Sequence, residues 1–250
     1  MPTGEPFPTT QDGFLDGRLL IRQPAQGYRA GGDPVLLAAA VAAKPGQTAL
    51  DLGCGVGTAG LCLLARVPGM IAIGLEVQPE LAELARANAA ANGLADRFRV
   101  VAGSLLTPPE ALRGQGFDHV LTNPPWYEPA TSRRPAIASK SVAHMEGEAD
   151  LATWVAVAAK FLAPKGRLTV IHRADRLEDV LAALGRLPLG GVRVFPLWPK
   201  PGRPAIRVVV TARRDARAPL ELLPGLVLHR DDGRHTDAAE EVMRRGAALF

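Results

Sequence analysis

Short apolar runs alternate with longer segments of helical character from Gln47 onward. The apolar runs predict seven β-strands: TALDL, MIAIGL, FRVVAG, FDHVLT, GRLTVIH, VRVFPLW and AIRVVVTA. The four segments between them that predict α-helices are TAGLCLLARV, PELAELARANAAANG, ADLATWVAVAAKFLA and ADRLEDVLAALGRL. The strands are apolar along most of their length, which is typical of a parallel sheet with helices on both faces. The pattern therefore predicts an α/β fold with an open, mostly parallel sheet of seven strands.

The last two predicted strands are expected to run antiparallel. They are joined by the loop PKPGRP, which has no helical segment. Because a parallel connection needs a longer crossover, this loop predicts antiparallel neighbours. After Ala212 the sequence predicts a Pro-rich connection, a short turn and a final helix from about Thr236.

The N-terminal segment is expected to pack on this core, so that the whole chain forms a single domain. Residues 1–12 are rich in Pro, Thr and Gly and predict a flexible leader. Within residues 13–45, Asp16-Gly17 predicts the turn of a hairpin, and Asp33 as N-cap before Pro34 predicts the start of a helix. Residues 46–250 then form the principal part of the domain.

Composition narrows the class of protein. Of the 250 residues, 47% are hydrophobic and 22% are charged, which is ordinary for a globular chain. The longest apolar run, from Pro34 to Ala43, is about half the length of a membrane span. The first residues have neither the basic flank nor the apolar segment of a secretion signal. Cys54 and Cys62 suggest neither a disulfide framework nor a metal site, and no histidine pair has metal-ligand spacing. We expect a cytoplasmic protein with no metal.

Positive charge is concentrated in two parts of the chain. The formal net charge is +4. Seven basic residues lie between Arg193 and Arg217, with Asp215 as the only acid among them. A second basic group, Arg133, Arg134 and Lys140, follows the stretch Asn123 to Trp126. Such clusters are able to contact a polyanion, but a solvated basic surface explains them equally well.

A glycine-rich turn, DLGCGVGTAG, follows the first predicted strand of the sheet and opens a helix. In open α/β sheets ligands bind beyond the carboxyl ends of the strands, so this turn is the expected site. The glycines would let the backbone approach a ligand; the alternative is that they only allow close packing of strand and helix. Gly55, Gly57 and Gly60 also match the dinucleotide spacing, so a nicotinamide cofactor is the competing interpretation.

Two acids favour a different cofactor. Asp51 stands at the tip of the first strand, where it would repel a pyrophosphate but attract an ammonium group. Glu76 ends the second strand, where a carboxylate is able to accept both hydroxyls of a ribose. S-adenosylmethionine carries an α-amino group and a ribose but no phosphate. These residues therefore fit S-adenosylmethionine better than NAD.

With these motifs, DLGCGVGT followed by GLEVQPE, the sequence resembles the class I S-adenosylmethionine-dependent methyltransferases. The resemblance implies a Rossmann-like sheet of seven strands whose last strand is antiparallel. It also implies an adenine contact after the third strand, where Ser104 replaces the more usual Asp. The residues that the motifs and the resemblance assign to cofactor binding are Asp51, Gly53, Cys54, Gly55, Gly57, Glu76, Val77, Ser104 and Asn123.

The stretch VLTNPPWYEP, residues 120–129, follows the fourth predicted strand. The resemblance implies that it faces the methyl group and that the target is an amino group on a flat conjugated system. The side-chain oxygen of Asn123 and the carbonyl of Pro124 would accept its two N–H groups, with Pro125 restraining the backbone. Trp126 would stack on the base. The alternative is a strand ended by two prolines, with Trp126 in the core.

Further segments narrow the resemblance. GYRAGGDPVLLAAAV, AHMEGEADLATWVAVAAKFLAPKGRLTVIHRADRL and LVLHRDDGRHTDAAEEV resemble the bacterial family that includes the tRNA (adenine-N6)-methyltransferase acting on valine tRNA. The likeness extends from about Gly13 to Val242. It implies that Arg29 and Asp33 lie near the methionine end of the cofactor. Flipping an adenine into a pocket is easiest in an RNA loop. The residues we expect to contact this RNA are Trp126, Arg133, Arg134, Lys140, Lys200 and Arg203.

Three other functions stay open at this point. Protein glutamine N5-methyltransferases share the Asn-Pro-Pro motif, but they usually have Tyr at the fourth position and a separate helical N-terminal domain. Guanine-N2 methylation of rRNA is a second alternative. A non-catalytic scaffold that binds cofactor and RNA is the third.

Overall fold

The computed structural model describes residues 7–27, 29–125 and 149–250. Its first two strands, β1 (Thr9–Phe14) and β2 (Leu19–Pro24), form a separate antiparallel hairpin. Nine further strands in the described part of the chain form the central sheet. They are β3 (Thr48–Leu52), β4 (Ile71–Glu76), β5 (Phe98–Ala102), β6 (Phe117–Thr122), β7 (Leu162–Arg173), β8 (Leu189–Trp198), β9 (Arg207–Arg214), β10 (Glu221–Leu222) and β11 (Leu226–Val227).

The strand order is β10-β8-β9-β7-β6-β3-β4-β5, with β11 also paired to β8. β3, β4, β5, β6 and β7 are parallel, whereas β9 lies between β7 and β8 and is antiparallel to both. All the predicted strands are present. The predicted number of seven was nevertheless wrong, because β10 and β11 extend the sheet along the free edge of β8. Two-residue strands are too short to give a period that the sequence could reveal.

Six α-helices are described, and five of them flank the sheet in two layers. They are α1 (Asp33–Ala40), α2 (Thr58–Arg66), α3 (Pro79–Ala91), α4 (Leu151–Lys160), α5 (Leu177–Gly185) and α6 (Asp237–Met243). One hydrophobic core joins the hairpin, α1, α2 and α3 to one face of the sheet, and α6 contributes to it. A second core joins α4 and α5 to the opposite face. The sheet is thus covered on both sides, which explains why its strands are apolar throughout.

The N-terminal segment differs from expectation in two details. The predicted leader, residues 1–12, is wrong over Thr9–Asp12, which pair with β2. Asp33 is the first residue of α1 and Gly32 is the N-cap, so the prediction of Asp33 as N-cap was also wrong. The carboxylate of Asp33 instead accepts a hydrogen bond from Nε of Arg207 at 3.0 Å, an ion pair that draws it toward β9.

The described residues lack both a membrane-spanning helix and a metal-binding cluster. No described helix has the length and apolarity needed to cross a membrane. The described residues also contain no cluster of three or more His, Cys, Asp or Glu suited to a metal ion.

Candidate functional site

The tips of β3, β4, β5 and β6 meet at one edge of the sheet. Leu52 pairs with Leu75 on one side and with Thr122 on the other. The residues that follow these strands therefore leave the sheet side by side. The structure thus brings together the glycine turn after β3, Glu76 at the end of β4, and Asn123 after β6.

Asp51 lies beneath the glycine turn. Its side chain is buried, and Oδ2 accepts a hydrogen bond from the backbone N–H of Gly60 at 2.8 Å. Burial raises the pKa of this carboxyl to about 7; the bond from Gly60 opposes the shift and the nearby Glu76 adds to it. Asp51 therefore anchors the first turn of α2, and its contact with a cofactor amino group stays a prediction.

Glu76 holds the same turn from the β4 side. Oε2 accepts from the N–H of Gly55 at 2.8 Å, and Oε1 accepts from the N–H of Gln78 at 3.0 Å. Burial raises the pKa of Glu76, while the backbone hydrogen bonds from Gln78, Gly55 and Val77 lower it. Each carboxylate oxygen has two lone pairs, so these bonds leave acceptor capacity for a ribose.

Two glycines of this turn are required by the backbone conformation and by packing, whereas an approach of the turn to a ligand stays a prediction. Gly53 and Gly57 have φ of 74° and 85°, a conformation that side chains other than glycine rarely adopt. They also permit close packing. A Cβ on Gly53 would lie 2.5 Å from Cη2 of Trp154, and one on Gly57 would lie 2.8 Å from Cε1 of Phe98.

Three other predicted cofactor residues lie at this edge. Burial raises the pKa of the Cys54 thiol well above its ordinary value, so Cys54 is a protonated packing residue. Val77 follows Glu76 and is half-buried. Ser104 Oγ accepts from the N–H of Leu106 at 3.1 Å and so stabilises its own loop. An adenine contact by Ser104 stays a prediction.

Asn123, Pro124 and Pro125 leave β6 at the same edge. Thr122 ends that strand, and its Oγ1 donates to the carbonyl of Leu52 at 2.8 Å, which ties the tips of β6 and β3 together. Asn123 is half-buried and Pro124 is buried. Four predicted substrate residues that follow in the sequence lie outside the described residues: Trp126, Arg133, Arg134 and Lys140.

The structure gives Arg29 and Asp33 ion-pair partners. Arg29 Nη2 donates to Asp12 Oδ2 of β1 at 2.5 Å, and Asp33 pairs with Arg207 as described above. These pairs connect the hairpin and α1 to neighbouring elements. A role for either residue at the methionine end of a cofactor stays a prediction.

The remaining predicted substrate residues, Lys200 and Arg203, lie in the loop between β8 and β9. Lys200 Nζ donates to the carbonyl of Asp231 at 3.0 Å, and Arg203 is exposed. β8 has the same direction as β7, because both are antiparallel to β9. This loop is therefore at the same edge of the sheet as the glycine turn.

Two residues of the site were missed from the sequence. Trp154, in the first turn of α4, contacts Gly53, although a tryptophan in an apolar helix predicts only core packing. Asn88 in α3 is fully buried and donates to the carbonyl of Val56 in the glycine turn at 3.0 Å. Asn88 lies within an Ala-rich helix and Asn92, four residues later, is its C-cap; asparagine is a poor helix former. That pairing was the available signal.

The donor set suits S-adenosylmethionine. Two buried carboxylates lie under and beside a turn of glycines with positive φ, which matches an ammonium and a ribose better than a phosphate. Asp51, Glu76 and the glycine turn would hold this cofactor. The competing dinucleotide interpretation lacks support from these charges.

Comparisons with known proteins agree with this site. Residues 32–185 match the family model described as "Methyltransferase small domain". A tRNA1(Val) (adenine(37)-N6)-methyltransferase from Porphyromonas gingivalis is 36% identical over 68% of this chain and 68% of its own length. One of the same name from Dickeya chrysanthemi is 26% identical over 93% and 92%. The crystal structure of a predicted O-methyltransferase from Agrobacterium tumefaciens has a TM-score of 0.71 and 26% identity, covering 87% of this chain and 98% of that one. The chain therefore belongs to the methyltransferase small domain family and is an S-adenosylmethionine-dependent methyltransferase.

Proposed function

We propose that this enzyme methylates the N6 amino group of an adenine in tRNA. One observation above the others supports an amino-group target: Asn123-Pro124-Pro125 leaves β6 directly beside β3, whose tip carries the glycine turn. The adenine and the tRNA are supported by the two relatives named for that reaction. Their similarity extends over most of the chain, well beyond the glycine turn.

Asp51, Glu76 and the glycine turn form the cofactor site in this proposal. When bound there, S-adenosylmethionine supplies a methyl group on a positively charged sulfur. Asp51 holds the amino group, Glu76 holds the ribose hydroxyls, and Val77 and Ser104 border the adenine. Cys54, Gly55 and the neighbouring glycines line the turn with backbone. Arg29 and Asp33 act at the methionine end.

Asn123 and Pro124 orient the amino group of the substrate. An aromatic amino nitrogen is a weak nucleophile, because its lone pair is delocalised into the ring. The side-chain oxygen of Asn123 and the carbonyl of Pro124 each accept one of its N–H groups and direct the lone pair at the methyl carbon. The proline at position 125 restrains that carbonyl before the substrate arrives. Trp126 stacks on the base and completes the pocket.

Cationic side chains around the pocket bind the RNA backbone. Lys200 and Arg203 lie at the same edge of the sheet as Asn123. We include Arg133, Arg134 and Lys140 in this group from their position in the sequence after Trp126. Together they provide the positive charge that phosphate groups require.

Substitution of Asn123 tests the transfer mechanism. Asn123→Ala is expected to lower kcat by about 10²–10³-fold, the typical cost of one transition-state hydrogen-bonding group. The affinity for S-adenosylmethionine, measured by isothermal titration, should stay within a few-fold. Thr122→Ser is the matched control, since it keeps the hydroxyl that bonds Leu52 and should retain turnover. Unchanged turnover in Asn123→Ala would contradict the mechanism.

The substrate is tested with radiolabelled methyl donor and deproteinised total RNA. We expect label in N6-methyladenosine from the tRNA fraction. Label in N2-methylguanosine of rRNA, or only in protein when crude extract is supplied, would overturn the tRNA assignment in favour of the corresponding alternative. Cofactor binding with no labelled product in either mixture would favour the non-catalytic scaffold.

A further inference from the structure

A groove lies at the end of β8, on the same edge of the sheet as the glycine turn and Asn123. Its volume is about 500 Å³, and it is wide open to solvent. It is lined by Trp198, Lys200, Gly202, Arg203, Pro204 and Val227. The groove therefore combines one indole ring with two cationic side chains.

The neighbouring chain holds Trp198 in place. Its Nε1 donates to the carbonyl of Pro224 at 3.2 Å, and its backbone pairs with Val227 of β11. Gly225, with φ of 82°, passes close to the indole: a Cβ there would lie 2.7 Å from Nε1. The N–H edge of the ring is thus fixed against the strand, and Trp198 stays half-buried as one wall of the groove.

The two cations retain binding capacity. Lys200 donates one hydrogen bond to a carbonyl, and an ammonium has three donors. Arg203 is exposed at the loop tip. Asp232 of the adjacent turn pairs with Arg234, and Asp237 at the start of α6 pairs with Arg230. Asp231, whose carbonyl accepts from Lys200, adds a negative charge on that side of the groove. Arg203 is therefore the cation best placed to meet a phosphate, with the remaining donors of Lys200 beside it.

An aromatic wall beside two cations is the arrangement that binds single-stranded nucleic acid, by stacking a base and pairing a phosphate. We infer that this groove holds a nucleotide of the RNA substrate that flanks the methylated one, with its base on Trp198 and its phosphate at Lys200 and Arg203. The inference rests on the proposed function and extends it. Three strand spacings, or about 14 Å, separate β8 from β6 in the sheet. That is too far for the flipped adenine itself but is within reach of the same RNA strand.

Substitution of Trp198 tests the stacking contact. Trp198→Ala is expected to raise KM for RNA by about 5- to 100-fold, the usual range for loss of one stacked base. Trp198→Phe keeps an aromatic face and should recover most of that loss. The effect should fall on KM for RNA more than on kcat, and cofactor affinity by isothermal titration should stay unchanged. Unchanged KM and unchanged RNA affinity by filter binding in Trp198→Ala would overturn the inference.

Lys200 and Arg203 provide an independent test at the surface, where folding is not at risk. The double variant Lys200→Ala, Arg203→Ala should reduce the slope of log RNA affinity against log salt by about 0.7, the contribution of the one phosphate that both side chains contact in this proposal. Lys160→Ala is the matched control: this exposed lysine ends α4 at the opposite edge of the sheet. An unchanged slope in the double variant would overturn the inference.

Different results would contradict the proposed function and the assignment of the groove to RNA. If the unmodified enzyme transfers no methyl group to RNA, the proposed function fails and the groove loses its assigned ligand. If the unmodified enzyme methylates RNA and both tests at the groove are negative, the proposed reaction stands, whereas the groove is not an RNA subsite and Lys200 and Arg203 no longer belong to the proposed RNA-binding residues.

Discussion

At the residue scale, Asp51 and Glu76 each perform two tasks in our proposal. Both carboxylates accept backbone N–H groups that shape the glycine turn, and both are the acids assigned to the cofactor. Both are also buried, so their negative charges are poorly solvated and burial raises their pKa values. A bound ammonium group would restore the lost stabilisation of Asp51. The site therefore keeps a carboxyl whose protonation is coupled to folding and, in our proposal, to ligand binding.

The pKa of Asp51 has a consequence for stability. Because the folded-state pKa of about 7 exceeds the ordinary value of 3.8, the fold favours the protonated form. Stability should therefore fall as pH rises from about 4 to about 7, by up to about 4 kcal/mol from this group. Asp51→Asn removes the charge but keeps an acceptor for Gly60. When no cofactor is bound, the difference in melting temperature between Asp51→Asn and the unmodified protein should therefore increase as the pH is raised from 4 to 8.

The exposed Asp96 provides the comparison for this experiment. Asp96→Asn removes a surface carboxyl from the loop before β5, so its melting temperature should track that of the unmodified protein. A constant difference between Asp51→Asn and the unmodified protein at all pH values would contradict the predicted coupling.

At the scale of elements, Asn88 of α3 and Asn92, the C-cap of that helix, join α3 to the hairpin. Asn88 accepts from the N–H of Arg22 and donates to its carbonyl, and Asn92 does the same with Leu20. The side chains of α3 thus satisfy the outer edge of β2, as a neighbouring strand would. Asn88 alone also donates to the carbonyl of Val56. The hairpin and the glycine turn are therefore held by the same side chain.

This difference between the two asparagines predicts different phenotypes. Asn88→Ala leaves buried backbone groups without partners, so we expect about 1–3 kcal/mol lower stability and weaker S-adenosylmethionine binding. Asn92→Ala removes only the partly exposed hydrogen bonds to Leu20, so it should lower stability less than Asn88→Ala does. Its cofactor affinity should stay within about two-fold of that of the unmodified protein. Urea unfolding and isothermal titration measure the two effects. Equal cofactor affinity in both variants would show that Asn88 does not support the glycine turn.

At the scale of the whole molecule, the residues proposed to bind cofactor and substrate lie along one edge of the sheet. The glycine turn, Glu76, Asn123 and the loop with Lys200 all lie beyond the carboxyl ends of parallel strands. The loop with Lys200 lies there because β8 has the same direction as β7 and ends at that edge, whereas β9 starts from it and runs back. In our proposal this edge holds the cofactor site at its centre and the groove of Trp198, Lys200 and Arg203 toward one side.

Salt dependence tests this arrangement as a whole. The affinity of the unmodified enzyme for tRNA should fall linearly on a logarithmic scale with added salt, because phosphate contacts release counterions. Affinity for S-adenosylmethionine, which carries no phosphate, should change little over the same range. Filter binding and isothermal titration provide the two measurements. A salt-independent substrate affinity would instead favour a small molecule or a protein loop.

Local features of the sequence were sufficient to predict the main elements and the glycine turn. Every long strand of the sheet was predicted, because strands buried on both faces must be largely apolar. Asp51, Gly53 and Glu76 were proposed as cofactor residues because a glycine turn after a strand and an acid after the next strand are local patterns. The antiparallel pairing of β8 and β9 followed from the short loop between them.

The sequence by itself determined the α/β pattern, the glycine turn and the two acids, since each depends on neighbours in the chain. Only the tertiary structure decided which distant residues meet. The sequence around Asp33 predicts a helix cap, whereas in the structure Asp33 pairs with Arg207 of β9. The sequence around Trp154 predicts core packing, whereas in the structure its ring contacts Gly53. The start of β1 at Thr9 and the short strands β10 and β11 also depend on pairing partners elsewhere in the chain. Such contacts join positions far apart in the chain, and their side chains carry no periodic signal that marks the partner in advance.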